Sequence, residues 1–441
     1  MQRLLSLATA GMLALTAILP AAPAAAGLIR DSEIERTLGM LSAPLFRAAS
    51  LRPEAVNIYI VNNSKLNAFV GNGSNMFLNS GLLLKLETPE ELQGVIAHEA
   101  GHIAGGHEAR RSAGMRSARG PALLGVLAAI AAGAAGAPQA SAAILAGSNS
   151  AIARTFLSYN RAEEAAADQA ALNYLARAKI DPAGMKKVLD IFRGQEVFTI
   201  GNVDPYILTH PLSTERVQLV EERVRQAEGN TFARDPELAY WHGRMRAKLR
   251  GFLEDPARVL EQAEDLPETE EVLYAKAVAL YRLPAIKEGF AAADRLIALR
   301  PRDPFYLELK GQMLFETGRP QEALPYYRDA VRLAPGEPLL EGGLGRVLLA
   351  LNQPETDREA LEILQSARDR DPADAMAMRD LAVAYARANQ PGMAALATAE
   401  RFALTGQTKD AMLQARRAAA VLPEGSPGWL RAQDILSLDP E

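Results

Sequence analysis

Residues 98–102 read His-Glu-Ala-Gly-His. On a helix, histidines four residues apart project from one face, separated by about 40° of rotation. Both imidazoles can then reach one ion at the roughly 2.0–2.1 Å that zinc requires. Glu99 falls beside that face, where a carboxylate can take a proton from an activated water. The chemistry such a pattern serves is water attack on a carbonyl polarised by the metal, with Glu99 passing the proton to the leaving amine. A purely structural zinc site would have no need of Glu99. Leu92, Val95 and Ile96 give the segment a buried apolar side, which speaks against two surface histidines.

A catalytic zinc takes three protein ligands and keeps one position open. His107 follows His102 by five residues. On a continued helix it would stand about 140° round from His102, so it is a poor ligand and is read as structural or solvent-facing. The better source is Asn160-Arg161-Ala162-Glu163-Glu164-Ala165-Ala166-Ala167-Asp168, a strong helix former. Glu164 and Asp168 share one face. Glu164 can ligate while Asp168 accepts the other ring N–H of a ligating histidine. The spacing alone leaves a solvated acidic face equally open. His210 precedes Pro211, which disfavours helix at the histidine and places it on a loop or helix entry. His242, beside Trp241, reads as a packing residue.

These residues need elements to carry them. Ser32–Leu51 has helical spacing, and residues 56–61 are β-branched and aromatic. Residues 67–70 and Asn75–Asn79 flank a glycine turn and predict a hairpin. Thr88-Pro89-Glu90-Glu91 predicts a capped helix start, with Glu91 completing a capping box. The strand at Met76-Phe77-Leu78 would hold an extended substrate by β-addition. Residues 121–147 are almost wholly Ala, Leu, Ile and Gly, and read as a helical segment able to touch a membrane surface, with a buried helix as the plain alternative.

From about Asp235 the sequence becomes helical and repetitive. Asp303–Pro335 places Gly311, Gly318, Ala323, Tyr327, Ala330 and Pro335 at the offsets of a 34-residue tetratricopeptide repeat. Leu344, Gly345 and Leu348 begin the next unit; after a three-residue insertion it continues with Ala360, Leu364, Ala367 and Pro372. Weaker units lie around Tyr385 and from Gly406 to Pro423. Small residues let paired helices approach and prolines punctuate the units, so a solenoid with a binding surface follows.

The chain of 441 residues contains no cysteine, which excludes thiol proteases, thiolate zinc sites and disulfides. A net charge of -5 argues against a nucleic-acid partner. Arg3, an apolar run from Leu4 to Leu19 and Ala24-Ala25-Ala26 read as a cleavable secretory signal. The division is therefore 1–26 signal peptide, 27–232 metallopeptidase domain and 233–441 repeat domain.

Together the motifs resemble the HtpX-like and BepA-like gluzincins of metallopeptidase family 48, specifically secreted members carrying tetratricopeptide repeats. The shared residues are Asn67-Ala68-Phe69, Ser80-Gly81-Leu82-Leu83, the HExxH, the trailing His107, Arg161 with Glu164-Ala165-Ala166-Ala167-Asp168, and Thr209-His210-Pro211. Asn160 stands where the family often has Ser. The resemblance implies a mainly α fold with a small β-sheet: a zincin-like α+β domain, then an α-solenoid. It makes Glu164 the third ligand of one zinc per chain. It sets His210 near the metal, either stabilising the oxyanion or plugging the open position, with Arg216 in support. It further implies a periplasmic location, unfolded outer-membrane proteins as substrates and their assembly machinery as partner. The rival is a chaperone or assembly scaffold in which proteolysis is rare.

Overall fold

The computed structural model describes residues 27–71, 73–107, 151–193, 210 and 212–437, the side chains of 151–160 excepted. The signal segment and the alanine-rich stretch at 121–147 lie outside the described residues.

Leu28–Ile29 forms β1, Asn57–Val61 β2, Ala68–Gly71 β3 and Asn75–Asn79 β4, in the sheet order β1-β2-β4-β3. The expected hairpin is there: β3 and β4 are antiparallel, with Phe69 opposite Phe77. β4 also pairs in parallel with β2, Ile60 opposite Leu78. This corrects one expectation. Both sides of β4 are hydrogen-bonded, and Met76 and Leu78 are fully buried, so Met76-Phe77-Leu78 has no edge to offer a substrate. Among the described strands the free edges belong to β1 and β3.

Helices α1 (Ser32–Ala48), α2 (Ser80–Lys85), α3 (Pro89–Ala104), α4 (Ala151–Ala178), α5 (Ala183–Phe192) and α6 (Thr214–Ala227) build the rest of this region. Its core joins Leu38, Leu41 and Leu45 of α1 to Leu92 and Ile96 of α3, Leu172 of α4 and Phe192 of α5. Thr88 caps α3 by accepting from Glu91 N at 3.3 Å. The return half of the capping box differs: the Glu91 carboxylate accepts from Glu87 N at 2.7 Å, one residue further out. α3 is buried continuously from Glu91 to His102, as befits a helix enclosed on all sides.

That enclosure depends on small residues. A Cβ on Gly101 would come within 2.9 Å of the Ala167 carbonyl oxygen, so glycine on α3 and alanine on α4 let the two helices nearly touch. The alanines between Glu164 and Asp168 thus bring both carboxylates down onto the histidine face.

Twelve further helices follow among the described residues, beginning with α7 (Pro236–Leu253), α8 (Pro256–Glu264) and α9 (Glu270–Tyr281). The unit read at Asp303–Pro335 is one hairpin, α11 (Pro304–Glu316) and α12 (Pro320–Leu333), after α10 (Ile286–Leu299). The remaining helices are α13 (Pro338–Ala350), α14 (Pro354–Arg370), α15 (Ala375–Arg387), α16 (Pro391–Leu404), α17 (Thr408–Ala419) and α18 (Pro427–Leu436). Ala323, Ala330, Ala360 and Ala411 are fully buried, and a Cβ on Gly345 would strike Leu364 Cγ at 2.5 Å. The repeat signature is therefore a close-packing signature.

The two regions meet through buried charge. Arg244 of α7 donates from Nε to Glu33 Oε1 at 2.7 Å and also binds Asp303, while Tyr274 donates to Glu33 Oε2 at 2.7 Å. Lys248 Nζ lies 2.6 Å from Asp31 Oδ2. Arg36 stacks over Trp241, 4.5 Å from the ring centroid. The N-terminus of α1 is thereby held against the repeats. No described helix is long and apolar enough to cross a membrane.

Candidate metal centre

His98, His102, Glu164 and His210 converge, each offering one ligand atom within 4.8 Å of the others, and all four are buried. His98 Nε2 lies 3.1 Å from His102 Nε2 and 3.3 Å from Glu164 Oε2; His102 Nε2 lies 3.3 Å from Glu164 Oε1. His210 Nδ1 adds separations of 3.2 Å to His98 Nε2 and 3.1 Å to Glu164 Oε2. A tetrahedron with bonds of about 2.0 Å has edges of about 3.3 Å, so these spacings suit a zinc-type ion.

The outer hydrogen bonds aim the lone pairs. His98 Nδ1–H donates to Asp168 Oδ1 at 2.8 Å, leaving Nε2 as the lone pair that faces inward. The His102 Nδ1 to His107 Nδ1 contact of 2.8 Å does the same for His102. His210 Nε2–H donates to the Ala68 carbonyl of β3 at 3.1 Å, turning Nδ1 toward the cluster. Three imidazole nitrogens and a carboxylate thus converge on one point, an arrangement suited to a cation.

The electrostatics of the residues agree. Burial disfavours a charged His98, but Asp168 and Glu164 outweigh it and raise its pKa to about 10. Burial, with the charges of His98 and His210, lowers His102 to about 3 despite Glu164. Burial also opposes charge on Glu164, yet His210, His102 and His98 hold it well below the usual carboxylate range. A proton on His98 and a metal ion are alternative answers to the same negative charge. Glu99 is fully buried, neither of its oxygens makes a hydrogen bond among the described residues, and His210 Nε2 stands 3.4 Å from Oε1. It is a carboxylate poised beside the ligand cluster with its acceptor capacity free.

The structure also places the residues around the cluster. His107 is buried against His102, the structural one of its two expected roles. α3 ends at Ala104, and Gly106 at φ +63° turns the chain back under the helix. A Cβ on Gly105 would meet His107 Nε2 at 2.5 Å, so the Gly-Gly pair was the available signal. Arg216 reaches His210 through the acids: its Nε donates to Asp168 Oδ2 at 2.5 Å, and its Nη1 lies 3.1 Å from Glu164 Oε2. That role was legible only in part, because the arginine belongs to α6, far from the motif in sequence. Glu163 is buried too, so the acidic helix face is not solvated. His242 is buried in α7, away from the cluster, and burial lowers its pKa to about 3.

A helix-borne HExxH, completed by a carboxylate from a second helix and followed by stacked hairpins, defines a metallopeptidase domain joined to a tetratricopeptide solenoid. Residues 30–224 match Peptidase family M48 and form a metallopeptidase domain of that family. Over 408 residues the chain is 26% identical to the Beta-barrel assembly-enhancing protease of Yersinia pestis, spanning 91% of this chain and 82% of that protein. It is 24% identical over 409 residues to the protein of the same name from Escherichia coli strain K12, with the same shares. Among solved structures, a thermophilic TPR protein of Thermus thermophilus is 20% identical, at a TM-score of 0.28, covering 38% of this chain and 100% of that one. That likeness is too loose to add to what the hairpins themselves show.

Proposed function

We propose that this chain is a periplasmic zinc endopeptidase that cleaves unfolded or misassembled outer-membrane proteins and is held latent by His210. The observation that carries the reading is the convergence of three imidazole lone pairs and Glu164 beside a buried, unbonded Glu99. The catalytic unit is taken as 27–232 and the repeats as 233–441, exported by the leader at 1–26. The names of the relatives support β-barrel proteins as clients and their assembly machinery as a partner of the repeats.

His98, His102 and Glu164 would hold one zinc ion, which when bound polarises the scissile carbonyl and acidifies water. Asp168 and His107 keep the two ligating imidazoles in the required tautomer. Arg216 neutralises Asp168 and Glu164 so that two carboxylates can be buried side by side. Glu99 takes a proton from the attacking water and returns it to the leaving amine.

The place of His210 favours the plug over the oxyanion role, because Nδ1 occupies the fourth corner of the ligand set. Its Nε2 also covers the Ala68 carbonyl on the free edge of β3. Withdrawal of His210 would open the metal and the strand edge together. An extended substrate could then pair with β3, which suits unfolded chains. A scaffold with rare proteolysis is the second reading, favoured by the same closed ligand set.

The test is metal analysis together with cleavage of an unfolded outer-membrane β-barrel protein. About one zinc per chain is expected. His210→Ala should keep the zinc and cleave faster than the wild type. Zinc-loaded His210→Ala protein that cleaves nothing would leave only the scaffold.

A further inference from the structure

Two arginines of the first repeat lie outside every network described so far. Arg246 and Arg250 stand four residues apart on α7, a spacing at which like charges repel. Both Nε atoms are buried and have no hydrogen-bond partner among the described residues. Arg246 donates from Nη2 to the Leu84 carbonyl at 3.1 Å. Arg250 Nε meets Glu254 Oε1 only at 3.6 Å, an ion pair too long for a hydrogen bond. Burial first, and then the Arg250 charge, hold Arg246 below the usual arginine value against the pull of Glu87, Glu91 and Glu254.

Both side chains line a cavity of about 200 Å³ between α7, α8 and the first turn of α9. Ala247, Val259 and Leu266 supply an apolar wall, and Leu266 remains 49% exposed at its lip. Glu271 adds one carboxylate to the lining. The cavity is smaller than a drug-sized site and suits one amino-acid residue.

We propose that this cavity binds the C-terminal residue of an extended polypeptide, its α-carboxylate on Arg246 and Arg250, its side chain on the apolar wall and its backbone N–H donated to Glu271. Two guanidiniums beside one carboxylate fit a group that is anionic at one end and a donor at the other. A phosphate, all acceptor, would be repelled by Glu271. Through Leu84 the cavity adjoins α2, which leads into the HExxH helix, so a client held here by its end would have its body near the peptidase. That consequence rests on the proposed endopeptidase reading, but the binding itself does not.

Binding is therefore measured without cleavage, in the full-length Glu99→Gln protein at fixed salt. The probe is a short fluorescent peptide ending in leucine, with the same peptide as its C-terminal amide. The free acid should bind at least about tenfold more tightly than the amide, since a charge-assisted contact is lost. Arg250→Gln should cost the acid about tenfold and leave the amide unchanged. Acetate and inorganic phosphate should compete only weakly. Equal affinity for acid and amide, binding of neither, or displacement by acetate as effective as by unlabelled peptide would each overturn the proposal. The acid–amide comparison needs no repeat-domain variant, so it decides even where Arg250→Gln is unstable. A peptide-binding result with no cleavage by His210→Ala would retire the peptidase reading and leave this one standing.

Discussion

Two clusters of buried charge hold this molecule together, and they are built on opposite principles. At the junction the acids face donors: Glu33 is shared by Arg244 and Tyr274, and Asp31 faces Lys248. Glu308, 3.6 Å from Lys248 Nζ, is held less closely. At the metal centre the outer acids are paired in the same way, Asp168 with Arg216 and His98. The inner groups are not. Lone pairs point at one another, and Glu99 is buried without a hydrogen bond among the described residues. Burying an uncompensated carboxylate costs free energy, whereas a fully paired network only breaks even. The difference separates what serves chemistry from what serves architecture.

The comparison is open to attack from both sides. Glu99→Gln should lower peptide cleavage by about a thousandfold, the middle of the range that a general base contributes. It should leave the melting temperature unchanged or raise it, because the orphaned charge disappears. A marked fall in melting temperature would show that Glu99 is structural after all. Arg244→Met does the reverse. Left buried beside Asp303 without their guanidinium, the acids should destabilise the fold by about 3–5 kcal/mol. Zinc content at low temperature should not change. Adding Glu33→Gln should recover part of the loss, a coupling read by the double-mutant cycle. Loss of zinc in Arg244→Met would mean that junction and centre are one network.

How much of this the sequence carried follows from what each feature depends on. The HExxH is a local helical spacing and faces the cluster; the spacing of Glu164 and Asp168 left a solvated face equally open, and packing of α4 on α3 turns both inward. The repeats were legible because Gly345, Ala323 and Ala360 record close approach directly. The substrate role of β4 was misread because a hairpin signal cannot tell an edge strand from a central one; that is decided by β2, which pairs from across the sheet. The choice between a structural and a solvent-facing His107 was left open because it depends on Gly105-Gly106, which turn the chain back beyond Ala104. The Arg244 network joins residues more than two hundred positions apart, and no periodicity encodes such a contact.

A carboxyl of the repeat region strains the comparison, and it gives the smallest effect. Glu400 of α16 is raised to about 7, because burial outweighs the nearby Arg368. Arg431 Nη1, 3.1 Å from its Oε1, also favours the charged form and trims the effect. With the folded value above the ordinary 4.5, the folded protein keeps a proton that the unfolded chain releases. The stabilisation is thus fully present below about pH 4.5 and is lost as the pH rises through about 7. At 1.36 kcal/mol per pKa unit, and allowing for Arg431, the loss is about 1–2 kcal/mol. Glu400→Gln removes the titration and should flatten this fall. The chain has two tryptophans, Trp241 in α7 and Trp429 in α18, so Trp241→Phe leaves Trp429 to report on the last hairpin alone. Urea unfolding followed at Trp429 should then show a midpoint that drops with pH when Glu400 is present and holds when it is Gln. A midpoint that rises over the same window would mean the arginines win. Glu400 would then be another paired acid, unlike Glu99.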